Sequence, residues 1–345
     1  MAVRMKDIAR DLNVSVVTVS KVLRNHSDIS QETRERVMRR MKELRYQPNL
    51  AARGLVTGRS YMMGLVVPDL VHSFFAQVAK SMTAVLRGHG YNLVISSSNE
   101  DPELEQQEIE QLLGRRVDVL IVASSQKDHD SLQRVDQHRT PYILIDRKVS
   151  GLAANFVGVD DEAVGEMATE HLIAAGCRTI AHIGGPPVST ALGRLNGYRR
   201  AMLRNGRSMP SAYVVTRALR NDLSDAAGYQ AMAELLRLNP RPDGVFCYND
   251  PTAMGAMKAI LDARLRIPED VAIVGCGNLV YADLLRVPLT SVDQDSEGIG
   301  EQVARLALDL ISPAKSSAKS PAKHRTILLQ PRLVIRQSSL RPPTN

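Results

Sequence analysis

Residues 6–23 read KDIARDLNVSVVTVSKVL, and their reading decides how the amino-terminal end of this 345-residue chain folds. Ile8, Ala9 and Leu12 recur at helical spacing, and Asn13, a turn-forming residue, ends the run. Val14 is expected to plug inward, and Ser15 to accept hydrogen bonds from the free N–H groups that open a second helix, about Val16–Leu23. Val19 and Val22 supply the buried side of that helix, leaving Val17, Thr18 and Lys21 to solvent. Two short helices meeting at a three-residue turn form a helix-turn-helix, whose second helix can enter the major groove of DNA. An ordinary helical hairpin satisfies the same pattern, so the neighbouring residues must decide.

Ser30 is placed to cap a third helix, with Glu32 in its first turn facing the positive end of the helix dipole. That helix is expected to run to about Leu44. Val37, Met38, Met41 and Leu44 lie on one face, with Arg34, Arg36, Arg39, Arg40 and Lys42 largely off it. Three helices around so small a core are marginal alone. Residues 1–60 hold 13 Lys and Arg against 6 Asp and Glu, so the chain's formal excess of +7 sits entirely in this segment. A local basic excess is what attraction to phosphate requires, and it makes binding salt-dependent.

The length allows two or three domains. No apolar run is long enough to span a membrane and no signal peptide is recognisable, so a cytoplasmic location is expected. Cys177, Cys247 and Cys276 lie far apart and outside any CxxC spacing, and read as small buried residues rather than disulfides or metal ligands. The lack of Trp argues against base stacking on single strands. No G-x-G-x-x-G, Walker loop, HExxH or nucleophile elbow opens a helix, so no cofactor is expected and a Rossmann-like enzyme is disfavoured.

From Tyr61 the texture changes to short apolar strands alternating with amphipathic helices. The strands are MMGLVVP, YNLVISSS, VDVLIVASS and YILID, and then, after Asp160, TIAHIGG, AYVVT, GVFCYND and VAIVGCG. Helices between them include FFAQVAKSMTAVLRGHG, DSLQRVDQH and SDAAGYQAMAELLRL. This pattern implies an α/β fold of two doubly wound lobes with parallel sheets, binding ligands beyond the carboxyl ends of the strands. Residues 312–324, SPAKSSAKSPAKH, read as a flexible basic insertion, and RTILLQPRLVIRQSS as closing strands. The last residues carry no leucine heptads that would argue for a coiled-coil tetramer.

Two blocks, MKDIARDLNVSVVTVSKVLRN from Met5 and SQETRERVMRRMKELRYQPNLAARGL from Ser30, resemble the LacI/GalR family of bacterial repressors. The resemblance implies a three-helix headpiece over 1–46, a hinge helix and linker over 47–60, and an effector-binding, dimerising core over 61–345. That core looks like the periplasmic sugar-binding proteins. Its N-lobe is expected at about 61–158 and 293–312 and its C-lobe at about 161–290 and 325–337, with lobe crossings near 156–161, near 290–293 and within 312–324. The implied partners are a palindromic double-stranded operator bound by a homodimer, and a small, carbohydrate-related effector. Expected DNA contacts are Lys6, Ser15, Val16, Val17, Thr18, Lys21, Arg24, Asn49, Ala52, Arg53 and Leu55. Val16, Val17 and Lys21 are assigned to base edges, and Ser15, Thr18 and Arg24 mainly to phosphates. Leu55 matches the leucine that pries open the central base step, an apolar wedge in the minor groove.

For the effector, the strand-end positions are Phe74, Phe75, Asp146, Arg194, Asn249, Asp250, Asn278 and Gln294. Arg194, in STALGRLNGY, matches the family arginine that forks onto ligand oxygens. Three departures matter. Gly277 in GCGN stands where sugar-responsive relatives carry an acid, Leu223 where an aromatic often stacks, and Val188 where purine-sensing relatives carry arginine. A purine is thus disfavoured, an ordinary hexose is in doubt, and Arg194 suits an acidic sugar or sugar phosphate. On this reading Gly277→Asp restores a grip on neutral sugars. The rival is a solute-binding or sensor protein of the same core with DNA binding secondary, and the first sixty residues weigh against it.

Overall fold

The computed structural model describes residues 3–23, 26–46, 58–126, 132, 135, 138–216, 224–312 and 324–341. The chain divides into two compact units, Met1–Ser60 and Tyr61–Asn345. In the first, α1 (Met5–Leu12), α2 (Val16–Leu23) and α3 (Gln31–Glu43) surround a small core of Ile8, Ala9, Val19, Val22, Val37 and Met41. Asn13 takes the left-handed conformation (φ 53°) that lets α1 end and α2 begin within three residues. Ser15 and Ser30 cap α2 and α3, accepting the N–H groups of Thr18 at 3.0 Å and Thr33 at 3.3 Å. Arg40 on α3 reaches back to Asp11 on α1 at 2.6 Å. Met38, expected in the core, is 52% exposed. The seam is set by Val37 and Met41, one turn apart, and Met38 falls beside it. Arg24, the segment 47–57 with Leu55, most of DSLQRVDQH, Leu223 and residues 313–323 lie outside the described residues.

The second unit is a pair of sheets. One contains β1 (Met62–Val67), β2 (Asn92–Ser97), β3 (Val119–Val122), β4 (Tyr142–Ile145), β5 (Asn155–Val159) and β11 (Thr326–Leu329), in the order β11-β5-β4-β3-β1-β2, all parallel. The other contains β6 (Ile180–Gly184), β7 (Val214–Thr216), β8 (Gly244–Cys247), β9 (Ala272–Cys276), β10 (Thr290–Asp293) and β12 (Arg332–Val334), in the order β12-β10-β9-β8-β6-β7. Of the described strands only β12 runs antiparallel, to β10. The connecting helices are α4 (Ser73–Gly88), α5 (Pro102–Gly114), α6 (Asp161–Ala174), α7 (Ser189–Arg204), α8 (Ser224–Leu235), α9 (Asp250–Asp262) and α10 (Ser296–Leu310). AYVVT opens as a short 3₁₀ turn before β7, so its strand is brief.

The third crossing corrects the expectation. The chain returns from α10 into the N-lobe sheet, where Thr326–Leu329 pair with Phe156–Val159, and changes lobe only between Leu329 and Arg332. Residues 326–329 thus belong to the N-lobe, not to a C-lobe segment beginning at 325, because β5 still offers an open edge that β11 fills.

Helix pairs in the C-lobe meet backbone to backbone through glycines. A Cβ on Gly165 would strike the Arg194 carbonyl and one on Gly197 the Glu162 carbonyl, so α6 and α7 approach closely. Gly228 and Gly255 do the same for α8 and α9. All three cysteines are buried free thiols, and burial raises Cys276 to about 12. Among the described residues no helix is long and apolar enough to cross a membrane.

His182 lies in β6 with its ring stacked between Tyr198 (5.4 Å) and Phe246 (4.9 Å), and its Nδ1 donates to the Phe246 carbonyl at 3.0 Å. Burial pushes its pKa down to about 4. The unfolded chain takes up a proton below the ordinary 6.5, and the folded chain does not until about pH 4. Stability present above pH 6.5 is therefore lost as the pH falls through that window. Burial of His72 acts in the same sense, while Asp161 and Asp250, raised to about 6, act in the opposite one. The difference between variants isolates His182: His182→Phe should remove up to about 1.4 kcal/mol per pH unit from the acid slope of urea-unfolding stability between pH 6.5 and 4. An unchanged slope would place the acid sensitivity elsewhere.

Candidate DNA-binding and effector sites

The headpiece exposes the outer face of α2. Val16 and Val17 are 43% and 61% exposed, an unusual state for valines in a domain with so little core to spend. Lys6 is exposed, and the Ser15 and Thr18 hydroxyls pair at 2.9 Å at the helix start. Lys21, assigned to base edges, is ion-paired with Asp28, whose carboxyl it holds below the ordinary value. Contact with DNA would have to exchange that partner. Asn49, Ala52, Arg53 and Leu55 fall in the segment outside the described residues.

In the core, β4 ends at Ile145 and the next residue, Asp146, turns left-handed (φ 60°). Across the cleft stands Arg194 on α7. Its Nε donates to Asp161 at 3.0 Å, one terminal nitrogen donates to the Tyr248 carbonyl at 2.7 Å, and its guanidinium lies over the Tyr248 ring at 4.9 Å. Gly165 makes this possible by letting the α7 backbone at Arg194 settle onto α6, which starts at Asp161. Burial raises Asp161 to about 6, with Asp146 adding to the rise and Arg194 opposing it.

The lobes touch through polar groups at the same place. Lys148 N–H donates to Ser189 Oγ at 2.8 Å, Asn249 Nδ2 donates to His72 Nε2 at 3.4 Å, and Gln294 Nε2 donates to Asp146 Oδ1 at 3.4 Å. Asp146, Arg194, Asn249 and Gln294 are thus brought together. Asn249 also caps α9, accepting Thr252 N–H at 2.9 Å. Four further residues share the site: His72, Arg147, Asp161 and Tyr248. Their signals were positional. Arg147 follows Asp146, Tyr248 precedes Asn249, and Asp161 opens the first helix after the crossing.

The other four nominated residues are engaged within their own lobes. Phe74 and Phe75 pack edge to face at 5.1 Å in the N-lobe core and lie against the His72 ring, and Phe75 also lines a groove with Leu70, Ala79 and Ile95. Asp250 is wholly buried, accepting Ser291 Oγ–H at 2.6 Å and Leu279 N–H at 2.8 Å, which ties down the loop after β9. Asn278 is held by Asp293 (3.1 Å) and Arg336 (2.8 Å). Gly277 has φ 124°, a conformation that side chains rarely adopt, and a Cβ there would sit 3.8 Å from an Asp250 oxygen. Gly277→Asp would therefore strain the backbone and set one acid against another, so it cannot simply restore a grip on neutral sugars.

Comparison with known proteins agrees with this architecture. Residues 4–49 match the family described as bacterial regulatory proteins, lacI family, and residues 169–339 match a periplasmic binding protein-like domain. The chain is 31% identical over 343 residues to the HTH-type transcriptional regulator DegA of Bacillus subtilis (strain 168), covering 98% of each chain. It is 32% identical over 339 residues to the HTH-type transcriptional repressor PurR of Klebsiella pneumoniae (strain 342), covering 97% of this chain and 96% of that one. The crystal structure of the lac repressor dimer bound to operator and the anti-inducer ONPF superposes with a TM-score of 0.84 at 26% identity, covering 99% of this chain and all of that one. These relatives are transcriptional regulators rather than enzymes. The chain belongs to the lacI family: it is a DNA-binding transcriptional regulator with a helix-turn-helix headpiece and a periplasmic-binding-protein-like core.

Proposed function

We propose that this protein is a cytoplasmic, homodimeric repressor that binds a palindromic operator and changes affinity when a small, carbohydrate-related ligand enters the interlobe cleft. The observation that carries the reading is the junction, in one chain, of a headpiece with exposed valines on its second helix and a two-lobed core with a polar cleft. The apolar groove between α4 and the edge strand β2, with Leu70 and Ile95 exposed beside it, supports pairing with a second copy. Ligand and DNA then share a coupling free energy, so each alters the affinity of the other by the same factor.

Two valines offer apolar surface to thymine methyls and no hydrogen bonds, so base readout rests on methyl contact and on Lys21. Lys21→Ala should relax preference at particular base pairs by about 1–3 kcal/mol in competition binding to variant operators. Equal weakening on every sequence would move Lys21 to the phosphate contacts.

Leu55 is proposed as the minor-groove wedge. Leu55→Ala should reduce operator bending in a gel-shift assay and the preference for a flexible central pyrimidine–purine step, while weak non-specific binding persists. Unaltered bending removes Leu55 from the mechanism.

Arg194 is proposed to contact the ligand. Its loss alone would leave Asp161 buried and unpaired at a cost of about 3–5 kcal/mol, so Arg194→Ala confounds stability with binding. The pair Arg194→Met with Asp161→Asn removes both charges. That variant should keep operator binding within about a factor of three of the parent's, about 0.7 kcal/mol, since neither residue belongs to the headpiece. It should lose the operator response to ligand. A retained response excludes Arg194 from the ligand site.

A further inference from the structure

Arg147 is the charged side chain in the cleft that the reading above leaves without a role. Its side chain is 6% exposed, and its two terminal nitrogens fork onto the Glu100 carboxylate at 2.7 and 2.6 Å. The third nitrogen, Nε, is buried and its N–H finds no acceptor among the described residues; the acid oxygen on Asp146 is 4.0 Å away, beyond hydrogen-bond reach. A buried donor in that state marks a place where an acceptor belongs.

Glu100 is a poor permanent partner. Its side chain is 44% exposed, so it can return to water at little cost. It also sits in a turn in which two successive non-glycine residues, Asn99 (φ 50°) and Glu100 (φ 58°), are left-handed. Glu105, the other nearby acid, cannot take over, because its oxygens already accept Ser124 Oγ–H at 2.7 Å, Ser125 N–H at 2.6 Å and Ser125 Oγ–H at 2.8 Å.

We propose that Arg147 is an effector-binding residue held in reserve by Glu100, and that the effector is a small polyhydroxylated molecule whose carboxylate or phosphate takes the guanidinium over. The inference rests on the reading that the cleft binds the effector. Charge decides between an added and an exchanged anion. Arg147, Arg194 and Lys148 stand against Asp146, Asp161 and Glu100, so the site has no positive charge to spare. An anion entering beside Glu100 would leave it in negative excess. An anion replacing Glu100 leaves the balance unchanged and moves the displaced carboxylate into solvent. Asp146 remains available to accept hydroxyl groups, and the Arg147 Nε–H gains its missing acceptor. Planar bidentate recognition of an oxyanion is what a guanidinium does best.

The test is calorimetric titration of the full chain and of Glu100→Gln, Arg147→Gln and the double variant. The probes are D-gluconate, D-glucose 6-phosphate, inorganic phosphate and D-glucose, with folding checked by circular dichroism. Glu100→Gln should bind gluconate or glucose 6-phosphate about tenfold more tightly than the parent, the scale of one charge-assisted hydrogen bond freed from competition. Arg147→Gln and the double variant should lose that binding, and glucose should not distinguish the four proteins. Preference for gluconate identifies a carboxylate, and preference for glucose 6-phosphate or inorganic phosphate a phosphate. The proposal is overturned if Glu100→Gln binds none of the anions, if Arg147→Gln binds them as the parent does, or if glucose binds as tightly as gluconate in the parent. None of these titrations involves DNA. In a separate measurement of operator affinity, anion binding that leaves it unmoved would keep the Arg147 site and reject ligand control of the repressor instead.

Discussion

A guanidinium taken out of water must meet its counter-charge where it lies, and the C-lobe wall of the cleft is shaped by that demand at Arg194. Asp161 supplies the charge and the Tyr248 carbonyl and ring supply the rest of the cage. None of this fits unless α6 and α7 lie nearly in backbone contact, which Gly165 and Gly197 permit and a methyl group at either would forbid. Asp161 is also the first residue of α6, directly after the chain leaves the N-lobe through β5. The ion pair that fixes the cleft wall is therefore anchored at a lobe crossing. A rotation of one lobe against the other acts on the backbone next to Asp161, and so beside the pair that fixes the cleft wall.

What the amino-acid pattern revealed follows the same division between local and long-range forces. The headpiece was legible because its determinants are local: Ser15 and Ser30 caps, Asn13 in a left-handed turn, valines at helical spacing. Most strands were legible as short apolar runs. The sheet that TILL joins was not, because its residues would suit either lobe and only the open edge of β5 decides. Polar residues at strand ends were the least legible. Asn249 and Asp250 are neighbours in sequence, yet one faces His72 across the cleft and the other is locked beneath the loop after β9. Gly277 shows a related limit, since a missing acid reads as a lost contact until its φ of 124° shows the backbone itself to be specialised. Arg147 is not legible in the pattern, because its significance lies in an Nε with no acceptor among the described residues, which no spacing encodes.

The contacts that hold the lobes together explain how a small ligand could control such a molecule. Among the described residues, polar contacts at 2.8, 3.4 and 3.4 Å bridge the cleft, and the latter two are long enough to be weak. Neutral hydrogen bonds contribute about 0.5–1.5 kcal/mol each, and the one to the Asp146 carboxylate is weakened by its length, so these polar contacts add only a shallow preference to the apolar cluster that runs through both lobes. A ligand bridging the lobes through one charge-assisted bond adds about 1.5–3 kcal/mol to the closed state alone. That is the range of coupling, about 1–3 kcal/mol, that changes affinity at a second site by roughly 5- to 150-fold. Tight cohesion between the lobes would have made the closed state insensitive, because a ligand shifts an equilibrium only by its differential affinity for the two states. The weak bridging contacts and the strongly caged charges are thus complementary: the cage keeps Arg194 in position, and the sparse bridge leaves the lobes free to respond to what binds between them.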